Sequence, residues 1–401
     1  MKRLVAACAL ATAGCSLLVS TSGLSDGADD PSGVDAAPDA PGPSSADGGG
    51  SDAAADGDAS APAAFGGPLV LFQTVSSLRC RVEGSFELEF PSNRNHAFQV
   101  WRDLTKPTPV NLGGSPLLFD AIRTTMEGAE ISNATGTEGG YVDFLDETPV
   151  RVSFRNYEHH VLPSTADAKV WTRFTVYASG RVAIEVEVAN PGGAAYTLPA
   201  GWQFHTTNLG ALAWSSSDHP GGRAVTFTSP EGSSALLVNI AGVGTLAGAG
   251  GARRWDGSVR TIAAGGSLGL SAEIQVGVPP SAAAERALDV RNPELDVVAG
   301  GIGSYDYARG AYQVEATGGS ITLALSASRL RANPAFEIRD LPFSSWKITQ
   351  AGATIASSAT PITSRGVARW DAAAKRLVFI AFGEIPTTAP LADRTITVEP
   401  L

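Results

Sequence analysis

Val170-Trp171-Thr172-Arg173-Phe174-Thr175-Val176-Tyr177-Ala178-Ser179-Gly180-Arg181-Val182-Ala183-Ile184-Glu185-Val186-Glu187-Val188 reads as a strand, a turn and a second strand. Aromatic and β-branched residues crowd 171–177, small and polar residues at 178–181 supply the turn, and 184–188 alternate apolar with acidic side chains. A period of two puts every second residue on one face, as a strand with one buried face requires. The same period runs through Phe86-Glu87-Leu88-Glu89-Phe90 and Val150-Arg151-Val152-Ser153-Phe154-Arg155. Further strands are expected at 224–228, 235–240, 259–262, 268–276, 312–316, 321–325, 336–339, 346–350 and 375–382. From Phe65 onward the chain is therefore predicted to be all-β. Two stretches read as helices instead. Residues 116–127 carry Leu117, Leu118, Ala121 and Ile122 on one helical face, and 281–290 follow Pro279-Pro280 and open on a serine suited to an N-cap. The second helix lies in a connector, 281–300, between a first domain at 65–280 and a smaller one at 301–401.

Composition agrees with that reading. The 401 residues include 45 glycines and 25 prolines, and only 17% are charged, against about a quarter in an average chain. A coiled coil or long-helix protein is excluded. The formal net charge of −11 is concentrated in nine aspartates, at 26, 29, 30, 35, 39, 47, 52, 56 and 58, in a stretch without lysine or arginine. Residues 15–64 are a linker, rich from 24 onward in Asp, Ala, Gly, Ser and Pro, and predicted to be disordered because they have too little apolar bulk to offset ordering entropy. The body that remains is only mildly acidic, so nucleic acid is not an expected partner.

The first residues carry an address. Met1-Lys2-Arg3 is followed by an apolar run at 4–13, which fits a secretory leader and is too short to span about 30 Å of hydrocarbon. Thr12-Ala13-Gly14-Cys15 then resembles the lipobox of bacterial lipoproteins. That resemblance implies a signal peptide at 1–14, acylation of the Cys15 thiol (palmitate among the chains), and a membrane as partner through the lipid. Ser16 after the cysteine implies the outer membrane of the cell envelope. An ordinary signal peptide cut at another small residue is the alternative, and would leave Cys15 without a role. Cys8 leaves with the leader, so Cys80 is the one remaining thiol and no internal disulfide is available. Its place in Arg79-Cys80-Arg81-Val82 reads as a buried strand position rather than a nucleophile.

The first domain resembles a known class. The features are Thr148-Pro149-Val150 leading into the strand at 151–154, the hairpin at 170–190, and Leu268-Gly269-Leu270-Ser271-Ala272-Glu273-Ile274-Gln275-Val276 after Trp255-Asp256-Gly257 and Ala264-Gly265-Gly266. Together they resemble the β-supersandwich of galactose-mutarotase-like proteins, found also beside the catalytic modules of polysaccharide lyases. The last hundred residues resemble the smaller β-sandwich that trails it. The resemblance implies handling of carbohydrate. The paired histidines and carboxylate base of mutarotases have no matched positions here, and there is no helical region to build the α/α-toroid of such lyases.

Candidate site residues come from two segments. Tyr157-Glu158-His159-His160 is the densest titratable group, and on a strand Tyr157 and His159 share one face while Glu158 and His160 share the other. Those residues suit sugar contact, catalysis with Tyr157 or a histidine as base, or a metal helped by His205, Asp218 or His219; a polar strand end running into Pro163-Ser164-Thr165 is the structural alternative. The second segment holds Trp202, His205, Trp214 and His219, rings that can stack on sugars or pack inward. Trp171 and the other tryptophans are assigned to core or edge. Nucleotide-binding, zinc-protease and serine-hydrolase motifs are not found, and no cofactor or metal is expected. Three functions stay open: a lipid-anchored envelope protein that binds polysaccharide through the large domain, a polysaccharide lyase or sugar epimerase-like enzyme, and a structural envelope protein without ligand.

Overall fold

The computed structural model describes residues 67–74, 77–91, 100–107, 110–111, 119–126, 129–132, 138–161, 167–207 and 213–401. The leader, Cys15, the acidic linker and the 163–165 loop lie outside the described residues. Ala59–Leu401 forms one unit, and its described part is all-β apart from one helix of nine residues, Ala283–Arg291, and one of four, Leu391–Arg394.

An antiparallel sheet of eight strands dominates. Its order is Ser215–Asp218, Ala224–Thr228, Ser234–Asn239, Ser267–Val276, Arg181–Ala189, Asp167–Tyr177, Arg151–Val161 and Glu138–Glu147. The hairpin expected at 170–190 is its centre, with Val176 paired to Val182 and Lys169 to Ala189. Alternation sorts the two faces. Val170, Phe174 and Val176 point inward with Val152, Phe154, Val182, Ile184, Val186, Val188, Leu270 and Ile274, all in one core. The odd-numbered positions of the hairpin point the other way, onto an outer face.

Two five-stranded sheets close the inner side. One runs Val70–Gln73, Ser77–Val82, Phe86–Pro91, Val100–Asp103 and Val110–Asn111; it contributes Cys80, Phe86, Leu88, Phe90 and Trp101 to the same core. The other is ordered Thr245–Ala249, Ala252–Gly257, Trp202–Thr206, Asp120–Met126 and Ala129–Ser132. The helix expected over 116–127 is thus a strand from Asp120 to Met126, pairing with Trp202–Thr206 and Ala129–Ser132. Ile122 and Thr124 are buried while Arg123 between them is exposed, a period of two, and the β-branched Ile122, Thr124 and Thr125 favour the pleat over the helix. Residues 112–118 lie outside the described residues.

The C-terminal strands make a sandwich. Tyr312, Phe336, Ile338, Leu377 and Phe379 on its six-stranded sheet meet Ile321, Leu323, Ile348, Ile396 and Val398 on its five-stranded sheet. The six-stranded sheet also turns Ala311, Ala335, Val378 and Ile380 toward the first core. It therefore covers one end of the large sheet's outer face. The second expected helix is present as Ala283–Arg291; Ala282 rather than Ser281 occupies the N-cap and makes no side-chain cap bond. Its Ala283, Ala287 and Val290 cluster with Ala224, Leu236 and Val238 of the large sheet.

The covered end is ionic. Arg181 forms a two-pronged pair with Glu273, at 3.0 and 2.8 Å, and also donates to Tyr305 and to the carbonyls of Asn333 and Gly310. Arg151 reaches Glu337 at 2.6 Å. Glu337 also takes bonds from Arg309 and Arg339. Although burial alone would raise its pKa, Arg151 and its neighbours hold the Glu337 carboxyl down to about 2. Charges buried this way are tolerated because each carboxylate oxygen of Glu273 and Glu337 accepts from a guanidinium group.

Candidate functional site

The other end of the outer face is open, and the cross-strand pairs determine what it presents. Tyr157 pairs with Trp171, Trp171 with Glu187, and Glu187 with Gly269, so one row crosses four strands. Tyr141 occupies the next register position beyond Tyr157. The Tyr157 and Trp171 rings lie 4.4 Å apart between centroids. The Arg155 guanidinium stands 4.3 Å from the centre of the Trp171 ring, a cation–π contact, and Lys169 Nζ is 5.8 Å from the Tyr157 ring. His159 follows Tyr157 on the same face, with 6.4 Å between ring centroids. Arg155 pairs with Asp143 at 3.0 Å, and Arg173 with Glu185 at 3.3 Å. Among the described residues nothing stands within 4 Å of where a Cβ on Gly269 would sit, so the row ends in an open notch.

Chemically this is a shelf with apolar ring faces and charged, hydrogen-bonding edges. Such a surface matches a saccharide, whose C–H faces suit aromatic rings and whose hydroxyls suit guanidinium, ammonium and carboxylate groups. Trp171, assigned from sequence to core or edge, is half-buried at the centre of the shelf. The signal was the pairing of Trp171 with Tyr157, which appears only when the strand beginning near 150 is extended past 155 to Val161.

The other sequence candidates are placed elsewhere. Glu158 is buried on the inner face, and His160 is located by its backbone pairing with Ala168. Trp202 is buried, stacks on Phe204 and donates its indole N–H to the Ser258 carbonyl at 2.7 Å. His205 is 0% exposed, parallel to Phe119 and edge-on to Phe204 and Trp255. Burial drives its pKa down to about 3, against a smaller upward pull from the Ser271 backbone. Neutral and sealed among rings, it is a core histidine rather than a ligand contact or base. Trp214 is also buried, 6.3 Å from Trp101 between ring centroids. His219 follows the Ser215–Asp218 strand at the far edge of the large sheet, and its Nε2 engages the Thr226 hydroxyl at 2.6 Å. Burial lowers its pKa, partly offset by Asp218, whose carboxylate pairs with Arg253. Six interstrand steps separate that edge strand from the one bearing Tyr157, roughly 29 Å at about 4.8 Å each. Tyr157 and His159 are therefore together, while Trp202, His205, Trp214 and His219 do not join them.

Among the described residues no group of three or more His, Cys, Asp or Glu side chains is placed to hold a metal ion. A cavity of about 460 Å³ lies where Phe86, Trp101, Lys106, Arg286 and Glu384 meet. Its polar wall is largely self-satisfied. Asp103 accepts from Thr105 and Ser233, Arg286 donates to Glu384, and Asn333 accepts from the Gly383 amide. The Ser85 hydroxyl and the Trp101 indole N–H are the buried side-chain groups of that lining without a hydrogen-bond partner.

Comparison with known proteins finds only distant similarity. No protein-family model matches it, and no curated protein does. Among solved structures it is similar to a putative aldose 1-epimerase from Klebsiella pneumoniae, with a TM-score of 0.40 and 8% identity over 54% of this chain and 84% of that one. It is also similar to an α-mannosidase from Enterococcus faecalis, TM-score 0.37 and 9% identity over 78% of this chain and 43% of that one. The third is a polysaccharide lyase, TM-score 0.33 and 10% identity over 83% of this chain and 46% of that one. This chain spans less than half the length of the last two.

Proposed function

We propose that this is an envelope protein, held through a lipid on Cys15, that binds a saccharide along the open end of its large sheet's outer face. The observation that carries the reading is the Trp171 ring set between Tyr157 at 4.4 Å and the Arg155 guanidinium at 4.3 Å, on a face that ends in the open notch at Gly269. Rings on a rigid antiparallel sheet lose little freedom on binding, which favours a platform for an extended glycan over a closed pocket. A catalytic reading that uses His205 as base loses support, because that imidazole is sealed in the core and held neutral. The test is a glycan array probed with the full chain and with Trp171→Ala. Retention of one glycan class by the wild type and at least ten-fold weaker retention by the variant is expected; retention of none, or equal retention by both, would refute the reading.

A further inference from the structure

Beside the shelf, where the C-terminal sandwich meets the outer face, lies a second hollow of about 250 Å³. Four arginines line it: Arg151 and Arg173 from the large sheet, and Arg309 and Arg376 from the C-terminal strands. Asp146 is the one acid on its wall. Asp146 pairs with Arg151 at 2.8 Å and with Arg376 at 3.5 Å, and further carboxylates stand off the wall: Glu337 pairs with Arg151 and Arg309, Glu185 with Arg173, and Asp371 with Arg376. The cavity side thus presents four guanidinium groups around a single carboxylate. Arg151 is 2% exposed, and its buried Nη1 has no hydrogen-bond partner; the Nε atoms of Arg173 and Arg376 are in the same condition. A buried donor without an acceptor costs about 1–3 kcal/mol, so the guanidinium groups of this wall are under-satisfied. Ser153 and Thr175 add to the wall. Their hydroxyls share a single hydrogen bond of 3.0 Å, which leaves one hydroxyl proton to donate.

We propose that this hollow seats an acidic group, a carboxylate or a sulfate ester, carried by the saccharide that lies on the shelf. The inference rests on the proposed saccharide reading and names the ligand class: an acidic glycan rather than a neutral one. Position supports it. Thr175, Arg173 and Trp171 alternate along one strand on the same face, so the hollow and the centre of the shelf are four residues apart, about 13 Å. An oligosaccharide bridges that distance and a monosaccharide does not. Arg173 links the two, lining the hollow and neighbouring Arg155 across the strand pair. Planar guanidinium forks match the paired oxygens of carboxylate and sulfate.

The experiment is calorimetric titration of the full chain at constant ionic strength with three probes: sodium sulfate, a galacturonate hexasaccharide, and the same hexasaccharide as its neutral methyl ester. The expected result is sulfate binding that weakens at least ten-fold in Arg376→Gln and is unchanged in Trp171→Ala. The acidic hexasaccharide should bind at least ten-fold more tightly than its ester, an advantage lost in Arg376→Gln. Arg173→Gln serves as second pocket variant if Arg376→Gln does not fold. Equal affinity for acid and ester, with both weakened by Trp171→Ala, overturns the acidic seat and leaves the saccharide reading standing. Sulfate binding without any hexasaccharide binding overturns the acidic-glycan inference together with the saccharide reading. Sulfate binding indifferent to both arginine variants overturns the pocket alone.

Discussion

The Trp171 and Tyr157 rings, projecting from directly paired positions of adjacent antiparallel strands, lie 4.4 Å apart between centroids on the outer face of the large sheet. Aromatic pairs of this kind add about 0.5–1.5 kcal/mol beyond their buried area. At that end of the face the pair is a local clasp between strands and, on the proposed reading, a surface for a ligand.

If the surface is the functional part, truncating it separates binding from stability. Trp171→Ala is expected to lower saccharide affinity at least ten-fold while costing only about 1–2 kcal/mol of folding stability, because the ring is half-buried. Trp202→Ala, at a buried ring with a hydrogen-bonded indole, is expected to cost about 3–5 kcal/mol and to leave affinity unchanged in the fraction that folds. Glycan titration beside urea denaturation of the two variants checks this.

His205 makes stability depend on pH. Its folded-state pKa of about 3 lies below the unfolded value of about 6.5, so below pH 6.5 the unfolded chain takes up a proton that the folded chain refuses. Stability from this group is complete above pH 6.5 and declines as pH falls toward 3, by up to about 1.4 kcal/mol per unit. The residue sits at a φ of 48°, a left-handed conformation that asparagine tolerates. His205→Asn should therefore lower stability overall yet flatten its slope between pH 6.5 and 4, as read by denaturation at a series of pH values.

Glu337 adds a second, more acidic window. Its depressed pKa, near 2, stabilises the fold above the unfolded carboxylate value of about 4.3 and loses that contribution as pH falls from there to 2. Glu337→Gln removes the dependence and leaves Arg151 with Asp146 as its one remaining counter-charge among the described residues. A loss of about 3–5 kcal/mol at pH 7 is expected, shrinking as the pH approaches 2.

Cys80 is 0% exposed, and burial, with Glu147 adding to it, pushes its thiol far above the ordinary range. It should resist alkylation in the native protein and react once denaturant is added, by peptide mapping of the fragment that contains it. Fast native alkylation would contradict its core placement.

The sequence makes the strands legible and leaves the faces hidden. Strong alternation at 184–188 and 268–276 marks strands whose two sides differ, and both lie in the large sheet. At 120–126 the apolar residues also fit a helical spacing, and only pairing with Trp202–Thr206 decides for the strand. The shelf was half visible. Tyr157 and His159 announce themselves as a titratable cluster, whereas Trp171 and Arg155 join them through register, which no local pattern encodes. The same holds for the arginine hollow. Arg151 and Glu337 are 186 positions apart in the chain and touch only because the C-terminal sandwich lies on the large sheet. Trp202 and His205 show the converse, since residues with suitable chemistry close together in sequence can all face the core.

The most direct measurement is oxidative footprinting by mass spectrometry, with and without the glycan that binds best on the array. The account predicts that the glycan protects Trp171 and Tyr157 from oxidation and leaves His219, at the opposite edge of the sheet, unchanged. Protection of His219 or of residues around the Trp101 cavity, with Trp171 oxidised as before, would contradict it.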